Sequence, residues 1–126
     1  MPIIQYDDWK YATGEGWIPL INEAIDLVNK FNEENPNLEF PVHIVDVKEK
    51  WGILQIDLDF YYKDLEEQII RICLRSRNIC EYCGTTKDVK TLSVHGWTKT
   101  LCPKCKEDEE KEFDNFIKKL NNDNNT

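Results

Sequence analysis

The chain has 126 residues, a formal net charge of −8, 40% hydrophobic residues and 32% charged ones. That length suits one domain with a modest core, which a metal staple would reinforce. The acidity disfavours non-specific binding to nucleic acid or an anionic membrane, both of which need a cationic surface, and favours basic partners. No apolar run approaches the roughly 20 residues that cross a bilayer, and MPIIQYDDWK lacks the basic and apolar regions of a signal peptide. A cytoplasmic protein is expected.

Residues 1–16 read as an irregular arm carrying Tyr6, Trp9 and Tyr11, broken at Gly14-Glu15-Gly16. WIPLINEAIDLVNKFNEENP then predicts a helix. Ile18, Ile21, Ala24, Ile25, Val28 and Phe31 recur at helical spacing, Pro19 fits a first turn and Asn35-Pro36 stops it. Residues 40–60 predict a β-hairpin turning near Lys48–Gly52. Leu54, Ile56, Leu58 and Phe60 alternate onto one face, with Val45 and Val47 as the matching inner residues. Asp46, Asp57 and Asp59 share the outer face. Residues 61–77 predict a second helix with Leu65, Ile69, Ile72 and Cys73 buried. Arg71, Arg75 and Arg77 gather near its C-terminal end, where cations suit the helix dipole. A last helix is expected from Pro103 to about Leu120, with Phe113, Phe116, Ile117 and Leu120 facing inward, followed by a disordered polar tail over 121–126.

Between the last two helices lie CEYCG and LCPKC, so Cys80, Cys83, Cys102 and Cys105 form the pattern C-x2-C-x18-C-x2-C. Two residues between cysteines let both sulfurs leave one tight turn toward a common centre, and two such turns facing each other make a tetrahedral sulfur cage. The spacer is long enough for a hairpin that returns the second pair. Gly84 tolerates positive φ after the first knuckle, and Pro103 pre-sets a helix start. This spacing points to structural zinc, because four thiolates close the shell and leave no site for water. A redox pair needs only one Cys-x-x-Cys, on a βαβ pattern absent here. Rubredoxin-type iron shares the two knuckles, but the rest of the chain does not resemble a rubredoxin. Cys73, outside the pattern, reads as a core cysteine.

No catalytic constellation assembles. A His-Asn-His nuclease needs several histidines, and this chain has only His43 and His95. Asp57 and Asp59 have the chemistry for Mg²⁺, but adjacent carboxylates on a strand face are more often simply solvated. No phosphate loop or nucleophile elbow is present. The reading is therefore not an enzyme. Trp51, at the hairpin turn, and Trp97, between the knuckles, are candidates for a protein-binding surface together with Asp46, Asp57 and Asp59.

The strings GWIPLINEAIDLVNKFN, VDVKEKWGILQIDLDF, RSRNICEYCG and GWTKTLCPKC together resemble a widespread, mostly uncharacterised family of small bacterial and phage zinc-knuckle proteins. The likeness runs over roughly residues 16–106. It implies a zinc-binding small domain in the company of mobile elements and bacterial conflict systems, and carries over no catalytic residue. Where that family usually has a more aromatic and basic strand, this chain has LQIDLDF.

The expectation is one α+β domain over residues 1–120: arm (1–16), helix, β-hairpin and helix (17–78), zinc-ribbon-like four-cysteine hairpin (79–106) and C-terminal helix (107–120). The expected function is an acidic protein-binding module, an inhibitor of phage anti-defence or toxin-immunity type, aimed at a basic, nucleic-acid-handling partner protein. The alternative is nucleic-acid binding or regulation through the zinc hairpin, carried by Lys87, Lys90, Lys99, Lys104 and Lys106 with the three arginines before them. An iron-loaded electron carrier is a third reading.

Overall fold

The computed structural model describes residues 13–124. The arm's Tyr6, Trp9 and Tyr11 lie outside the described residues. The chain is α+β, with three helices and two antiparallel two-stranded sheets. In order these are α1 (Ile18–Glu34), β1 (Ile44–Lys50), β2 (Ile53–Leu58), α2 (Lys63–Arg75), β3 (Lys90–Val94), β4 (Trp97–Leu101) and α3 (Pro103–Asn124).

The first core lies between α1, α2 and one face of the β1–β2 hairpin. Leu20, Ile21, Ala24, Ile25 and Val28 come from α1, Ile44, Val47, Leu54 and Ile56 from the hairpin, and Leu65, Ile69 and Ile72 from α2. Leu20 replaces Ile18 as the first buried residue of the α1 stripe, and Phe31 and Cys73 are only partly buried. Trp17 is fully buried and donates its indole N–H to the Ile79 carbonyl at 2.9 Å, which ties the start of α1 to the segment after α2.

The hairpin corrects one expectation. Val47 is buried, but Val45 points to solvent. The register shifts between Ile44 and Asp46, opposite Leu58 and Asp57. Such a bulge resets the two-residue alternation, so Ile44 rather than Val45 joins Val47 inside. Strand β2 ends at Leu58, and Phe60 stacks on Phe40 near the surface, with ring centroids 5.0 Å apart, instead of entering the core.

Three small polar side chains fix how the elements meet. Asn32 clamps the approach to β1, donating to the Val42 carbonyl at 2.8 Å and accepting from its N–H at 2.9 Å. Ser76, fully buried, donates to the Cys73 carbonyl at 2.6 Å and accepts from Leu54 N–H at 2.9 Å, so it caps α2 and holds β2 at once. Thr100, also fully buried, donates to the Gly52 carbonyl at 2.5 Å and accepts from the Thr91 hydroxyl at 2.6 Å, which seats the tip of the first hairpin on the second. Ser76→Ala leaves the Leu54 N–H buried without an acceptor. It should lower the unfolding free energy by about 1–3 kcal/mol in denaturant titration with little change in m.

The second core is small: Cys80, Val94, Leu101 and Cys102, with Tyr82, Val89, Leu92 and Cys105 against it. Helix α3 starts on this core and then leaves it. Contrary to the expectation that they face inward, Phe113, Phe116, Ile117 and Leu120 are all exposed. The helix also continues to Asn124, four residues beyond its expected end at Leu120. The three-ten turn at Glu15–Trp17 likewise replaces the expected break at Gly14–Gly16.

Candidate metal centre

The first knuckle is a turn closed by backbone. Cys80 N–H donates to the Thr85 carbonyl at 2.9 Å, and Gly84 N–H donates back to the Cys80 carbonyl at 2.9 Å. Gly84 takes φ +81°, a region that costs a residue with a Cβ, as the sequence led us to expect. Strands β3 and β4 then pair in register from Lys90↔Leu101 to Val94↔Trp97 and return the chain to the second knuckle. That knuckle is the first turn of α3: Lys106 N–H reaches the Cys102 carbonyl at 3.0 Å, and Pro103 occupies the helix start.

These two turns bring Cys80, Cys83, Cys102 and Cys105 together, with all four sulfurs within 4.8 Å of one another. Cys83 Sγ and Cys102 Sγ are 3.7 Å apart, and Cys105 N–H points at Cys102 Sγ from 3.5 Å. A disulfide needs sulfurs at about 2.05 Å, whereas a tetrahedron with metal–sulfur bonds of about 2.3 Å has edges of about 3.8 Å. The separation therefore suits four ligands around one ion. Cys80 and Cys102 are buried, Cys105 half-buried and Cys83 exposed, so the cage has one open side.

Without an ion the four thiols compete for charge. Burial works to raise the Cys80 thiol, but hydrogen bonds from the backbone of Cys102, Cys83 and Tyr82 outweigh it and bring the pKa down to about 7. Burial, together with hydrogen bonds to Cys102, Cys80 and Cys83, pushes the Cys105 thiol well up. A bound cation would displace the protons that the thiols still hold. Cys73 is not part of the cluster. Burial raises its thiol to about 11, against a backbone hydrogen bond from Ile56, and it behaves as a core residue.

Around the cage, Glu81 is buried with one carboxylate oxygen accepting from Gly14 N–H at 3.1 Å. Its other oxygen has no partner among the described residues. Burial raises its pKa, opposed by the Gly14 hydrogen bond and the Lys99 charge. Lys99 lies 5.4 Å over the Tyr82 ring. Gly16 N–H donates to the Glu81 carbonyl at 2.7 Å, so the chain before α1 lies directly on the first knuckle. Sequence reasoning missed this contact, because nothing local in Gly14–Gly16 points to a partner more than sixty residues away.

The remaining candidate residues divide. Asp46 and Asp57 face each other across the hairpin, but Asp46 pairs with Lys48 at 3.2 Å. Asp59 leaves the strip: it accepts from His43 N–H at 2.7 Å and meets the His43 ring at 3.0 Å. Trp51 and Trp97 sit at the tips of the two hairpins, each 71% exposed. His95, at the tip beside Trp97, stacks on Phe113 with centroids 3.9 Å apart.

No helix among the described residues is long and apolar enough to cross a membrane. Comparison of the chain with protein-family models, with curated proteins and with solved structures gives no match.

Proposed function

We propose that this chain is a zinc-stabilised, non-enzymatic protein-binding module that inhibits a basic, nucleic-acid-handling partner, and that Trp51 leads its working surface. Zinc is the ion that four thiolates in a closed tetrahedron suit best when no redox step is needed. It holds the β3–β4 hairpin, and through Thr100 and Gly52 that hairpin holds the tip of β1–β2. The metal thereby stiffens the platform that presents the indole. A colourless preparation with one zinc per chain by elemental analysis is expected; a red, iron-loaded one would overturn this assignment.

The observation that carries the reading is the backbone at Trp51. Trp51 and Gly52 form a two-residue hairpin loop with φ of 56° and 80°, the signature of a type I′ turn. Asn or Asp is favoured at the first position, and a bulky side chain there costs roughly 1 kcal/mol. An indole kept at that cost with most of its surface in water has no structural return. Exposed Trp is a common anchor in protein interfaces. The net charge of −8 supplies steering toward a basic surface. The lysine-based nucleic-acid alternative loses ground, because Lys106 pairs with Glu110 at 3.2 Å and Lys99 is engaged by Tyr82.

Trp51→Asn should therefore raise Tm by a few degrees while weakening the partner by about 2 kcal/mol or more, roughly thirtyfold in Kd. The check is capture from host lysate by wild type and variant, with and without added nuclease, followed by titration of the captured protein. A stoichiometric protein that survives nuclease, is lost with Trp51→Asn and associates more slowly as salt rises supports the reading. Partners that all vanish on nuclease treatment, or that bind the variant equally well, sink it.

A further inference from the structure

Helix α3 carries an apolar stripe that the other described residues leave largely exposed. Phe113, Phe116, Ile117 and Leu120 are between 39% and 57% exposed. Their spacing puts them on one side of two successive turns, a pattern that in water calls for a facing helix. The stripe lies well along a helix of 22 residues, past the first turn that holds the second knuckle. Among the described residues, His95 stacks on its Phe113 end.

The charges beside the stripe select its occupant. Glu112 and Lys119 flank it on the same side, and Asp114 and Asn121 flank it on the other. None of Glu112, Asp114 or Lys119 has a salt-bridge partner among the described residues, whereas Lys106 and Lys111 are paired with Glu110 and Glu107 along the helix. We propose that α3 pairs with α3 of a second copy of this chain, antiparallel, with the two stripes crossing near Phe116 and Ile117. Antiparallel helices bring the same flank of each together. Glu112 then faces Lys119 of the second copy and Lys119 faces Glu112 of the second copy, while Asp114 meets the amide of Asn121 of the second copy. A parallel pair would instead set Glu112 beside Asp114 of the second copy, carboxylate against carboxylate. The sequence thus favours one orientation and opposes the other. The patch is short, so the dimer is a concentration-dependent one. It would hold the two Trp51 surfaces in one particle and raise avidity for a partner with repeated sites.

The test is sedimentation equilibrium of the full, metal-loaded chain from micromolar to millimolar concentration. Wild type should move from monomer to dimer. Phe116→Glu should remain monomeric with unchanged circular dichroism and metal content, since the side chain is exposed. Glu112→Lys and Lys119→Glu each replace two attractive pairs by repulsive ones and should each weaken self-association about tenfold. Mixed together, these two variants restore both pairs and should form a heterodimer of wild-type strength. Wild type that stays monomeric throughout overturns the proposal and leaves the stripe to a partner of different sequence. A dimer untouched by Phe116→Glu also overturns it, and a mixture that fails to recover overturns the antiparallel register.

Discussion

Stripping the metal with a chelator should unfold the segment after Ile79 while the first core keeps its helices. The second core has four buried members, and two of them, Cys80 and Cys102, are ligands. Little apolar area remains to hold β3, β4 and the start of α3 once the sulfurs repel or rehydrate. Structural zinc contributes on the order of 10–16 kcal/mol in small zinc peptides at neutral pH, as much as the whole stability of an ordinary domain. The first core is different. Its fourteen buried residues, twelve from α1, α2 and β1–β2 together with Trp17 and Val42, include no ligand. Hydrogen exchange read by mass spectrometry should therefore show lost protection over residues 80–106 and retained protection in α1 and α2. Cys83→Ser and Cys102→Ser should do the same and give insoluble or protease-sensitive protein. Normal folding and full metal content in either variant would remove the metal from its structural role. Acid should act in the same direction as the chelator. Cys80, lowered to about 7 in the metal-free chain, offers a thiolate near neutral pH. Protons compete for all four sulfurs, so metal affinity falls as pH falls and is recovered as it rises.

What was legible in the sequence follows from how local each signal is. The four-cysteine site was readable to the residue, because two knuckles and a hairpin spacer leave one way to converge four sulfurs. The helices and the first hairpin were readable from periodicity, and the second hairpin from the length of the spacer between the cysteine pairs. The inward face of β1 was not, because a bulge is one unpaired residue and leaves no trace in an alternation of valines. The α3 stripe was readable as a face but not as an exposed one. Periodicity shows that a side is apolar and says nothing of what covers it. Asn32, Ser76 and Thr100 were invisible for another reason: their partners lie 10, 22 and 48 residues away, and a small hydroxyl or amide has no pattern of its own. The acidic strip was half right. Asp46 and Asp57 do meet, but Asp59 is taken by His43, a pairing that depends on where β2 ends.

Gly16→Ala should destabilise the protein by about 3 kcal/mol or more and lower its metal affinity as well. Gly16 is not in a positive-φ conformation, so the argument is one of space alone. A Cβ there would overlap the Cys80 carbonyl oxygen and lie 2.6 Å from Gly84 N and 2.7 Å from the Glu81 carbonyl oxygen. All three are backbone atoms of the first knuckle, and two of them close its turn. A side chain in the way can rotate; these cannot move without opening the turn that aims Cys80 and Cys83. Two costs follow. The Gly16–Glu81 and Trp17–Ile79 hydrogen bonds are strained, which loosens the start of α1 from the metal segment. The knuckle also shifts, and misplaced support around metal ligands typically lowers affinity by about 10- to 100-fold. Denaturant titration with saturating zinc and with chelator separates the two. If the steric reading is right, the variant loses stability with zinc present and little with chelator, where the knuckle that the Cβ would meet is already unfolded. Equal losses in the two conditions would confine Gly16 to packing. An unchanged midpoint in both would show that the arm and the knuckle do not touch as the structure has them.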